Sequence, residues 1–107
     1  MIMDVTCEIT DTIDGLLLTV QGEVDLVTAP AVRRCLFDAI DAQPPGGQVR
    51  VDLSGVAFFA AAGVRALEAA YAHGERQRVE LVLVATSPAV ALVLAIVASP
   101  ARITEAP

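Results

Sequence analysis

In "VTCEI", apolar and polar residues alternate, with Val5, Cys7 and Ile9 on one side. A period of two predicts a strand with one covered face. "DTIDG" then reads as a hairpin turn in which Gly15 is free to take positive φ, and "LLLTVQG" as the returning strand. The period changes in "GEVDLVTAPAVRRCLFDAIDAQ". Val32, Cys35, Leu36, Ala39 and Ile40 fall at i, i+3, i+4, i+7 and i+8, one apolar stripe of a helix. Thr28 is placed to cap that helix and Pro30 to sit in its first turn, where a missing N–H costs nothing. Arg33, Arg34, Asp38 and Asp41 lie off the stripe, and "QPPGGQ" ends it.

"VRVDLSGV" predicts a third strand, with Val49, Val51 and Leu53 on one face. An exposed junction over 57–64 leads into a second helix, "GVRALEAAYAHGERQ", with Val64, Leu67, Ala70 and Tyr71 as its buried stripe. "VELVLVA" is apolar almost throughout, which suits a central strand. Ser87 and Pro88 open a third helix, "AVALVLAIVAS", which offers no polar side. Such a helix is either deeply covered or presents an apolar patch to a partner or a second copy. "ARITEA" reads as a short edge strand or a tail.

The resulting order, β-β-α-β-α-β-α, predicts a single α/β domain over 1–107, with a core over about 4–99 and a short strand or tail over 100–107. Its sheet is mixed, with parallel central strands joined by right-handed crossovers and helices packed on it.

Composition narrows the function. A chain of 107 residues that is 55% hydrophobic has ample material for one core. Its longest apolar run, Ala89 to Ala98, is far short of the ~20 residues of a membrane span, and nothing at the N-terminus resembles a signal sequence. The expectation is a cytoplasmic protein without direct membrane insertion. A net charge of −6, seven arginines that cluster only at Arg33-Arg34, and four aromatic residues argue against nucleic-acid binding. Cys7 and Cys35 fit apolar patterns as buried thiols, and no residues at ligand spacing suggest a metal.

Catalytic constellations are not evident. His73 is the only histidine and reads as a surface residue in the last turns of the second helix, where a cation suits the helix dipole. No nucleophile–base arrangement, phosphate-binding glycine loop or G-x-S-x-G is present. The expectation is a non-enzymatic chain without cofactor or metal, and attention moves to the loops after the parallel strands, where open α/β sheets bind ligands. One of these is unusual: "VAFFAAAGVRAL" starts a helix with no Ser, Thr, Asp or Asn.

"GEVDLVTAP", followed by "VDLSGVAFFAAAGVRAL", resembles the STAS domain, the family of bacterial anti-sigma-factor antagonists and of the cytosolic domains of sulfate transporters. The resemblance spans about residues 4 to 99. A free-standing chain of this kind looks most like an antagonist that binds an anti-sigma factor, itself a serine kinase, and so regulates sigma-factor-dependent transcription in stress responses. In the family an Asp-Ser-Ser or Asp-Thr-Ser element opens the second helix, and its second hydroxyl is the phosphorylation site. Here that element is Ala60, Ala61 and Ala62, followed by Gly63. The position matching the phosphorylation site is Ala62, which has no hydroxyl. The resemblance implies a partner-binding loop of Ala60, Ala61, Ala62, Gly63, Val64 and Arg65, with Asp25 and Thr28 of the first loop on the same surface. The alternative is a STAS scaffold or transporter-associated subunit, with a possible homodimer through the third helix. Ser54, Thr28 and Ser87 are the other hydroxyls near this end.

Overall fold

The computed structural model describes residues 4–13, 15–97 and 104–105. Strands β1 (Val5–Thr12) and β2 (Gly15–Val24) form an antiparallel hairpin, with Cys7 opposite Val20. Gly15 leaves the turn at φ +113°, and the Thr12 hydroxyl donates to its carbonyl at 2.6 Å. The expected positive φ is observed, and only glycine adopts it without strain.

From β2 the chain runs through helix α1 (Ala29–Asp41) to strand β3 (Gln48–Phe59), then α2 (Ala61–Gln77), β4 (Glu80–Thr86) and α3 (Pro88–Val97). The two-residue strand β5 (Thr104–Glu105) pairs parallel with β4, so part of "ARITEA" is an edge strand; residues 98–103 lie outside the described ones. The sheet order is β1-β2-β3-β4-β5, with only the first pair antiparallel. This is the mixed α/β sheet the alternation of periods implied.

The stripes expected on α1 and α2 meet the sheet, except that Tyr71 is only half-buried. Val32, Leu36, Ala39 and Ile40 of α1 and Val64, Ala66, Leu67 and Ala70 of α2 are buried with Leu16, Leu18, Val49, Val51, Leu53, Leu81 and Leu83. Cys35 is half-buried at the stripe's edge, beside Cys7 of β1. Both thiols are free. Burial, and then a side-chain hydrogen bond with Cys35, push the Cys7 thiol up to about 12. A proton held that firmly keeps the sulfur a small hydrophobe at neutral pH.

Two expectations about boundaries are corrected. Strand β3 does not end at Val56, and no loop spans 57–64. The strand continues to Phe59, paired with β2 through Gln21–Gly55, Gly22–Val56, Glu23–Phe58 and Val24–Phe59. Register shifts in the pairing absorb the Ser54-Gly55 step that reads locally as a turn. Gly55 permits the close approach, since a Cβ there would meet Gln21 Cγ at 2.8 Å. The apolar α3 is also resolved between its two alternatives. Val90 is buried and Val93 and Leu94 partly so, whereas Leu92 and Ile96 are 62% and 72% exposed. The Ser87 hydroxyl caps this helix as expected, accepting from the Val90 N–H at 3.3 Å.

Candidate functional site

The C-terminal ends of β2 and β3 carry the chain into α1 and α2 at one end of the sheet, where α/β sheets of this kind hold their binding sites. The β3–α2 junction has contracted to a single residue. Ala60 has extended backbone (φ −95°, ψ 173°) and donates its N–H to the Val24 carbonyl at 2.9 Å. Helix α2 therefore begins at Ala61, and Ala61, Ala62 and Gly63 form its first turn. No side chain caps it.

Packing requires glycine at position 63. A Cβ on Gly63 would lie 2.5 Å from the ring of Phe59, which is itself buried. Gly63 and Val64 are both buried, so the outer surface of the expected partner-binding loop reduces to Ala60, Ala61, Ala62 and Arg65. Ala61 and Arg65 are exposed, and Ala60 and Ala62 are half-buried. The result is a smooth helix N-terminus with positive dipole and unfilled backbone donors.

The β2–α1 turn differs from the sequence expectation. Thr28 occupies the position before α1 but makes no side-chain cap. Its hydroxyl turns back, donating to the Glu23 carbonyl at 2.7 Å and accepting from the Asp25 N–H at 2.9 Å. Asp25 Oδ1 accepts from the N–H groups of Val27 and Thr28, each at 2.9 Å. Those bonds, led by the one from Thr28, hold the Asp25 carboxyl below its ordinary pKa. Thr28 is buried, so it braces the turn from inside. What the turn presents outward is Leu26 and Val27, 75% and 85% exposed. Neither stands out in the sequence. An apolar pair between Asp25 and Thr28 reads as strand end, and the signal that could have found it was the Asx-type turn that leaves these side chains no core to enter.

The other candidate hydroxyls are also engaged. Ser87 is buried in its capping role. Ser54 is exposed but donates to Asp52 Oδ1 from both its hydroxyl and its N–H, at 2.6 and 2.8 Å. His73, expected as a surface residue, is half-buried between the helices. Its Nε2 lies 2.7 Å from Asp41 of α1, and its ring stacks on Phe37 at 4.2 Å. It ties α2 to α1 and sits away from the helix N-termini. Among the described residues no group of His, Cys, Asp or Glu is arranged to hold a metal, and no helix is long and apolar enough to cross a membrane.

The fold agrees with what comparison with known proteins finds. The STAS domain model matches residues 4–100, and the chain belongs to that family. An anti-sigma factor antagonist from Mycobacterium paratuberculosis has a similar structure, with a TM-score of 0.82 at 26% identity, over 97% of this chain and 86% of that one. SpoIIAA, an anti-sigma factor antagonist solved in its unphosphorylated form, gives a TM-score of 0.72 at 16% identity, over 95% of this chain and 89% of its own. At that identity it shares the fold alone. No curated protein matches significantly by sequence.

Proposed function

We propose that this chain is a non-enzymatic, cytoplasmic anti-sigma-factor antagonist that binds a kinase-type anti-sigma factor and is not released by phosphorylation at the start of α2. The observation that carries the reading is the apolar end of the molecule. Leu26, Val27, Phe58 and the alanines of α2's first turn are exposed or half-buried together at the C-terminal ends of β2 and β3. Three of the seven exposed large apolar residues among the described ones lie at this end, and a solvent-facing apolar group of this kind suits a protein partner. The family and the fold of its antagonist members lend support.

Ala62 occupies the second position of α2. A phosphate there would add about −1.5 to −2 charges and three strong acceptors. Alanine cannot carry it, so a partner kinase has no means at this position of driving the antagonist off. Thr28 and Ser87 are buried with their hydroxyls in use, and the exposed Ser54 hydroxyl donates to Asp52. The expected result is a stable complex with the anti-sigma factor whose antagonist keeps its intact mass after incubation with ATP. A mass increase of one phosphate on this chain contradicts the reading.

A second reading, a scaffold or transporter-associated STAS subunit that forms a homodimer, draws on the exposed Leu92 and Ile96 of α3.

A further inference from the structure

Beside the apolar end runs a groove of about 510 Å³ between α1 and α2. Its lining has an unusual charge for this protein. The chain carries a net charge of −6, yet Arg33, Arg34 and Arg65 line the groove and no carboxylate does. The rest of the lining is apolar, with Leu26 and Phe37 its largest side chains, and it includes Ala62. The wall is fixed in advance: the Arg33 guanidinium lies 4.7 Å over the Phe37 ring, and His73 of α2 stacks on the same ring. Stacking from both helices holds Phe37 in place before anything binds.

Guanidiniums beside apolar surface suit a ligand that is apolar along one side and anionic along the other. Arginine's planar fork favours carboxylates, and the helix N-terminus at Ala61–Ala62 adds positive potential at one end. An amphipathic helix laid in a groove meets these demands. We infer that the α1–α2 groove receives an acidic amphipathic segment of the anti-sigma factor, its carboxylates on Arg34 and Arg65 and its apolar side against Leu26 and Phe37. The assignment rests on the antagonist reading for the identity of the partner, and on the groove for its chemistry. It also gives Ala62 a second meaning: a negative charge there would face an acidic ligand.

The test is charge reversal at two exposed arginines, Arg34→Glu with Arg65→Glu, measured by titration with the anti-sigma factor and with a synthetic amphipathic helix of alternating Glu and Leu faces. The Tm of the variant should match the parent, because neither side chain is buried. Affinity for both probes should fall at least ~10-fold at low salt, and the difference should shrink as ionic strength rises. Unchanged affinity of the double variant for an anti-sigma factor that binds the parent overturns the groove assignment and leaves the antagonist reading standing. Parent binding to the synthetic helix, lost in the variant, without binding to any anti-sigma factor, keeps the groove's chemistry and removes the proposed partner. No binding of the synthetic helix by the parent, or a dimer of this chain that the variant abolishes, overturns the groove assignment.

Discussion

Replacing Ala62 by glutamate is expected to weaken binding to the anti-sigma factor at least ~30-fold without lowering the Tm. The two halves of the result have separate causes. Within the fold, a carboxylate in the first turn of α2 meets the positive end of the helix dipole, a contribution of about 0.3–1 kcal/mol in favour of the native state. Ala62 also borders the open groove, so the longer side chain has space. At the interface, the same carboxylate takes a charge into a contact shaped around a methyl group and opposes an acidic ligand, a juxtaposition that costs several kcal/mol when desolvated. Calorimetric titration and a melting curve on one sample separate these effects. Ala62→Ser is the complementary variant. It should bind like the parent and, in the presence of ATP and the partner kinase, become releasable.

The largest loss of stability is expected at Leu36. Its side chain is fully buried on the face of α1 turned to the core, where α1 meets α2 and the sheet. Leu36→Ala should cost about 3–4 kcal/mol, from lost transfer free energy and the cavity left behind. For a domain of this size that is a large share of a total of roughly 5–15 kcal/mol. Chemical denaturation should show a lower midpoint with an unchanged slope. A loss below ~1 kcal/mol would mean that α1 collapses onto the vacated space, contrary to the close packing described.

These two variants also separate what was legible in the sequence from what was not. Leu36 was readable as core because a 3.6-residue period over Val32 to Ile40 admits one buried stripe, and long-range structure only had to accept it. Helix α3 was readable as a helix for a related reason, through Ser87 and Pro88. The course of β3 was not. "LSGVAFF" contains a Ser-Gly pair that locally favours a turn, and the continuation to Phe59 is imposed by pairing with β2, some 35 residues earlier in the chain. The same long-range pairing absorbs the junction and puts Gly63 and Val64 inside the domain. Thr28 misled for a local reason: a hydroxyl before a helix usually caps it, but Asp25 offers a tighter turn that turns the hydroxyl the other way.

The candidate site was legible by position and only partly by composition. The alanines of α2 stood out as an uncapped helix start. Leu26, Val27 and the arginine-lined groove did not, because each depends on which side of an element faces solvent once α1 and α2 lie side by side. Arg33 and Arg34 read from the sequence as an ordinary solvated pair off the stripe. Their meaning comes from Arg65, which only the tertiary structure brings across from the other helix.

The decisive measurement is calorimetric titration of this chain with the kinase-type anti-sigma factors of its own organism, once with ADP and once after prolonged incubation with ATP. Tight binding to at least one of them is expected, with the same affinity under both conditions, because Ala62 gives the kinase nothing to modify. Absence of binding to all of them, or a complex that dissociates in ATP, would contradict the proposed function.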